Sequence, residues 1–223
     1  MTPLLIVGAG GFARETVQLV HDLNERAPAW DLLGYLDDDP AKHGTLVDGA
    51  PVLGGIDEAR RRPDARLVVC IGSPRDYAAR ARVVRRLDLP AERYATLVHP
   101  TASVSRSSTL GPGTVIMAQT VLTAAVRVGA HVSVMPHVTL THDDVVGDFA
   151  TLAAGVRLAG AVHVGPGAYI GSGALVRETL TIGASALVGM GSVVTRDIPP
   201  REIWAGVPAR FVRPTPAVNH GEY

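Results

Sequence analysis

A histidine followed by two carboxylates stands at His142-Asp143-Asp144. A neutral imidazole is a good general base near pH 7, and an adjacent carboxylate orients the ring and raises its basicity. Such a pair suits removal of a proton from an amine or hydroxyl nucleophile. The same residues can also be free of chemistry, with the two aspartates capping a turn. A second grouping lies near the start, where Gly8-Ala9-Gly10-Gly11-Phe12-Ala13 follows the apolar run Leu4 to Val7. This matches G-x-G-x-x-G/A, the loop whose backbone N–H groups cradle a phosphate when a helix follows. Asp37-Asp38-Asp39 end a second apolar segment, where a carboxylate can meet a ribose.

The loop at Gly8 needs a strand before it and a helix behind it. Residues 4–7 read as a buried strand, and Arg14 to about Arg26 as a helix. Further strands are predicted at Leu32 to Leu36 and Leu67 to Ile71, and a helix over Pro74 to Leu87. About 95 residues then hold only some four strands. A nicotinamide-dependent dehydrogenase is the first reading of such a loop, but a full dinucleotide site uses two βαβαβ halves. The chain changes pattern before a second half can form. One half can hold a single nucleotide or a phosphorylated sugar; alternatively, the glycines only let the helix pack closely on its strand.

The carboxylate-flanked histidine sits inside a different pattern. From Val98 to Val194 every sixth residue is aliphatic, seventeen in succession with no insertion. Four residues after each anchor, from Ala102 to Ile198, sixteen of seventeen are small or aliphatic; Asp144 alone is charged. Six is neither a helical period nor strict strand alternation. It suits a short strand and a tight turn, three to a coil, in a triangular prism on the order of 27 Å tall. Glycine directly after many anchors (Gly111, Gly129, Gly147, Gly165, Gly171, Gly183, Gly189) is expected to supply turn conformations. The expected fold class is an α/β, Rossmann-like half domain followed by a left-handed parallel β-helix. The expected divisions are 1–97, 98–213 and a frayed tail at 214–223.

Composition agrees and removes other classes. Ten aromatic residues against 24 glycines suit stacked small side chains better than a conventional core. Lys+Arg and Asp+Glu both number 21, so net charge gives no basis for nucleic acid or an anionic membrane as partner. The run at Leu4 is far too short to span a bilayer and lacks the flanks of a signal peptide. A single cysteine, Cys70, excludes an internal disulfide framework and reads as core. A cytoplasmic protein is expected. Trp204 is placed to seal the last coil, and Arg60-Arg61-Arg62 reads as a solvated helix end.

A metal site is the rival for the histidines. His137 and His142 are five residues apart, a spacing also found in the solenoidal carbonic anhydrases, which use three histidines. The register for a third ligand falls on Thr101 and Gln119, while His99, His131 and His163 lie in other phases. Two ligands rarely make a stable zinc site, so no metal is expected.

Gly8-Ala9-Gly10-Gly11, Asp37-Asp38, Ile71-Gly72, the unbroken hexads, His142-Asp143 and Gly206-Val207-Pro208-Ala209 occur in one order. Together they resemble the NeuD/PglD family of bacterial sugar acyltransferases across residues 4–213. The resemblance implies acetyl transfer from acetyl-CoA to an amino or hydroxyl group of a sugar, often nucleotide-linked, by homotrimers with sites between neighbouring prisms. It implies that His142 is the general base and Asp143 its acidic partner. The sugar nucleotide maps to Gly10, Gly11, Phe12, Asp37, Asp38 and Gly72. Coenzyme A maps beside Thr151, Gly160, Ser172, Gly189 and Met190. Two residues depart from the family pattern: Phe12 stands where many members have His, and Thr151 where some have a second histidine. A non-catalytic sugar-nucleotide-binding protein is the alternative with the same binding surfaces.

Overall fold

The structure is a computed structural model in which residues 1–216 are described. Strand β1 (Thr2–Val7) is the centre of a three-stranded parallel sheet, between β2 (Trp30–Leu36) and β5 (Arg66–Val69). Leu4 and Ile6 face one core and Leu5 and Val7 another, all fully buried, which is why this strand reads as an uninterrupted apolar run. Helix α1 (Gly11–Arg26) begins directly after the glycine loop and buries Ala13, Val17 and Val20 at helical spacing. A small antiparallel pair, β3 (Leu46–Val47) and β4 (Ala50–Pro51), brings this region to five strands instead of four.

Helix α2 (Ala79–Leu87) starts five residues later than the sequence suggests. Residues 74–78 turn instead, with the Asp76 N–H donating to the Ser73 carbonyl at 3.0 Å. The turn delivers Tyr77 to the second half of the molecule, where its hydroxyl donates to the Ser185 carbonyl at 2.9 Å. Tertiary docking thus overrides local helix preference at this point.

Seventeen two-residue strands follow, from β6 (Leu97–Val98) to β22 (Val193–Val194), stacked as three parallel faces of a left-handed β-helix. Each strand pairs with the one eighteen residues on, as Thr139 with Arg157 and Leu140 with Leu158. The aliphatic anchors are buried from Ile116 onward, and the residues four later fill the same interior. Val98, Val104 and Leu110 are only half-buried, because the first coils have no coil before them. At the far end β23 (Glu202–Gly206) and β24 (Ala209–Pro214) form a hairpin on the third face, and Trp204 pairs with Val188 against the prism core. Pro214, expected to open the tail, ends β24; residues 217–223 of that tail lie outside the described residues.

The glycines after the anchors have a different purpose from the one expected. Their backbones are not left-handed; that conformation falls three residues after each anchor from Leu110 to Val188, often on a non-glycine such as His137, Asp143 or Phe149. Gly147 instead admits its neighbour: a Cβ there would sit 2.6 Å from the Pro166 nitrogen and 3.0 Å from the Gly165 carbonyl carbon. Tight stacking of coils, not turn geometry, selects glycine here.

The α/β unit packs on the third face. Ala95, Leu97, Val115 and Met117 share one core with Ala13, Val17 and Val20. Nearby, the His131 ring meets Tyr94 edge-on at 4.6 Å and stacks on Phe149 at 5.1 Å. Burial, reinforced by the Arg80 charge, pushes this imidazole down to about 4, so it is neutral at physiological pH.

Gly147→Ala forces backbone atoms apart and is expected to destabilise the protein by about 1–3 kcal/mol. Gly173→Ala, at φ +69° with open space around its would-be Cβ, should cost about 1 kcal/mol for the left-handed conformation alone. Chemical denaturation of the two variants checks the order.

Candidate active site

His142 occupies the corner between the strands Thr139–Leu140 and Val145–Val146. The turn takes its left-handed residue at Asp143, φ +64°, a conformation that aspartate tolerates better than most side chains. Asp144 points into the prism and is fully buried. One of its oxygens accepts from the Thr141 N–H and the other from the Val162 N–H of the next coil, both at 2.8 Å. The one charged member of the small-residue series therefore staples the corner that carries His142. Burial pushes the Asp144 carboxyl up to about 6, against the pull of those two N–H donors.

The His142 ring places Nδ1 2.9 Å from an Asp143 carboxylate oxygen. An ionised carboxylate only accepts, so Nδ1 is the donor in this bond, and Nε2 takes no part in it. Both side chains are largely exposed, at 66% and 62%. Beneath the ring lies Gly160 of the next coil, where a Cβ would collide with Nε2 and Cε1. Glycine at 160 is thus what lets the imidazole lie flat on the corner.

Gly10, Gly11, Phe12, Asp37, Asp38 and Gly72 line one cleft of about 570 Å³ at the end of the parallel sheet. Helix α1 opens into it with no side-chain cap and no acidic residue in its first turn. Its leading N–H groups, together with Lys42, Arg82 and Arg86 on the walls, make the cleft suited to an anion. Asp37 accepts from the Ala9 N–H at 2.8 Å, the Asp39 N–H at 3.0 Å and the Lys42 ammonium at 3.0 Å. Burial pushes its carboxyl up, but these donors outweigh burial and hold it below the usual carboxylate range. Asp38 accepts from the Ile56 N–H at 3.0 Å and from Arg86 at 2.6 Å. Both aspartates brace the cleft wall, so a ribose contact would fall to their remaining lone pairs.

A smaller cavity of about 210 Å³ lies between the α/β unit and the third face, sharing Phe12 and Gly72 with the cleft. Thr151 and Ser172 line it. Gly189 and Met190 lie further along the prism edge that carries Ser172, with Met190 largely exposed. Gly160 is on the other edge, with His142. The five residues mapped to coenzyme A are therefore not gathered in one place within a single chain, and His142 lines neither cavity. His137 and His142 likewise occupy different edges, and among the described residues no three His, Cys, Asp or Glu side chains cluster as metal ligands.

Sequence reasoning missed the basic wall of the cleft and, above all, Arg80. This guanidinium is 2% exposed, although it belongs to a short helix with three further arginines, Arg82, Arg85 and Arg86. Burial pushes it down to about 10, which leaves it protonated at neutral pH. Cys70 is buried as expected, with its thiol pushed up to about 12 by burial.

Residues 3–87 match the family profile described as the PglD N-terminal domain. Perosamine N-acetyltransferase from Caulobacter crescentus, solved as a histidine-to-asparagine mutant in complex with CoA and GDP-perosamine, is 30% identical. The match covers 94% of this chain and 96% of that one, with a TM-score of 0.83. The chain belongs to the NeuD/PglD family of sugar acyltransferases. A second NeuD/PglD-like structure, the acetyltransferase domain of PglB from Neisseria gonorrhoeae FA1090 in complex with acetyl coenzyme A, is 27% identical. It covers 95% of this chain and 99% of that one, with a TM-score of 0.83. The UDP-N-acetylbacillosamine N-acetyltransferase of Bacillus subtilis (strain 168) is 35% identical over 123 residues. That stretch spans about half of either protein, 53% of this chain and 52% of the relative.

Two outcomes are expected at the His142 corner. Gly160→Ala displaces a movable ring rather than backbone, so thermal unfolding should shift little while any activity through His142 falls. Asp144, with its folded pKa raised from 3.8 to about 6, contributes stability below about pH 4 that is lost as pH rises through 6. Asp144→Asn removes this contribution, so the stability difference between variant and wild type should change across that window in urea titrations.

Proposed function

We propose that the protein transfers an acetyl group from acetyl-CoA to an amino group of a nucleotide-linked sugar, with His142 as general base. The observation that carries this is the His142–Asp143 pair, which engages Nδ1 and leaves Nε2 outside that bond on an exposed corner of the prism. In the reaction His142 takes a proton from the sugar amine as its nitrogen attacks the thioester carbonyl; the C–S bond then breaks and the coenzyme A thiolate leaves with a proton. Direct transfer needs no nucleophile from the protein. The amine is favoured over a hydroxyl because the Bacillus and Caulobacter relatives are both N-acetyltransferases by name.

The uncapped start of α1 and the basic residues around it suit the diphosphate of a sugar nucleotide, which assigns residues 1–97 to acceptor binding and 98–213 to acyl transfer. Gly10, Gly11, Phe12, Asp37, Asp38 and Gly72 line that acceptor site, and Thr151, Gly160, Ser172, Gly189 and Met190 the path of coenzyme A. His142 lines no part of that cleft, which is formed by residues of the α/β unit alone. A homotrimer resolves the separation, because a neighbouring chain can bring its His142 to the cleft of the next. Residence in the cytoplasm, where sugar nucleotides and acyl-CoA are made, suits this chemistry.

Thiol release from acetyl-CoA against a panel of nucleotide-linked amino sugars tests the proposal. His142→Ala should lower turnover by about 10²–10⁴-fold. Turnover near wild type in that variant would remove His142 as the base, and absence of both thiol release and coenzyme A binding would remove acyl transfer.

A further inference from the structure

Among the described residues Arg80 has no carboxylate partner, although it is 2% exposed and charged. A buried charge without a counter-charge is costly, and a hydrophobic residue of similar size commonly serves stability better. Its contacts show where the charge is used. Nη1 donates to the Ile71 carbonyl at 3.2 Å, at the end of the sheet that floors the acceptor cleft. Nη2 donates to the carbonyls of Phe149 at 2.9 Å and Ala150 at 3.1 Å, and to the Thr151 hydroxyl oxygen at 2.9 Å. Nε is buried without a partner. The side chain therefore spans the two halves of the molecule on two separate nitrogens, which a lysine ammonium cannot do.

The consequence falls on Thr151. Its oxygen already accepts from Arg80, and its own proton has no partner among the described residues, while the side chain lines the cavity between the α/β unit and the prism. We propose that Arg80 is a positioning residue that fixes the Thr151 hydroxyl as a hydrogen-bond donor into this cavity, directed at a carbonyl oxygen of the bound substrates. A cationic donor behind the hydroxyl polarises its O–H bond, so the hydrogen bond strengthens as negative charge develops on that oxygen. Ser133, Tyr169 and Ser172 line the cavity as well, beside Arg80 itself, and hydroxyl-bearing walls of this kind suit an oxygen-bearing segment. This role rests on the acyl-transfer reading.

Steady-state thiol release with Thr151→Val, Thr151→Ser, Arg80→Lys and the double variant tests it. Thr151→Val keeps the shape and loses the donor, and should lower kcat about tenfold while the KM for the sugar nucleotide stays within about twofold. Thr151→Ser should recover most of that loss. Arg80→Lys should lower kcat, and adding Thr151→Val to it should cost little more, because both remove one coupled unit. Wild-type kcat in Thr151→Val, or losses that multiply in the double variant, would overturn the proposal. If Arg80→Lys fails to fold, the Val and Ser variants at 151 decide alone. A wild-type protein that binds coenzyme A and sugar nucleotide yet releases no thiol would overturn the acyl-transfer reading and this role with it, whereas a flat Thr151 series beside an active wild type would overturn only this role.

Discussion

Successive coils of the prism stack at strand spacing, so residues through most of 98–198 lie against their counterparts eighteen positions on. The interior can hold only one aliphatic anchor and one small residue per hexad, and the position after the anchor must yield to the backbone of the next coil. Bulky polar side chains have little room inside and are displaced to the corners. His142 stands on such a corner because Asp144 satisfies two backbone N–H groups below it and Gly160 leaves space beside it. The site is shaped by the stacking as much as by its own residues.

The interface between the two halves follows other rules. It gathers several large buried polar groups: Arg80 over the corner carbonyls, the Tyr94–His131–Phe149 stack, and Tyr77 reaching Ser185. His131 is held neutral there, and Arg80 satisfies backbone acceptors at the turn the stack closes. These contacts fix how the cleft at the end of the parallel sheet sits relative to the prism, and with it the small cavity lined by Phe12.

What was legible in the sequence was whatever repeats or alternates. The anchors, the break at Asp144, the strand–glycine–helix start and the histidine–carboxylate neighbours are all local patterns, and each corresponds to a structural element. Non-local contacts were silent. Nothing in Arg80-Ala81-Arg82 distinguishes a buried guanidinium from a solvated one, because its partners lie some seventy residues away. The start of α2 was misjudged for the same reason, since Tyr77 is claimed by the prism. The glycines were found, but their cause lay in the next coil and not in their own torsions.

The eighteen-residue register also limits how such a chain can change over generations. Substitution at a corner is tolerated, and a whole coil can be gained or lost with every anchor still facing inward. Removal of one residue from a strand would turn all downstream anchors outward unless a bulge absorbed the slip. Length variation in this half is therefore expected in multiples of eighteen or as loops thrown out at the corners, the same places where His142 and Asp143 stand.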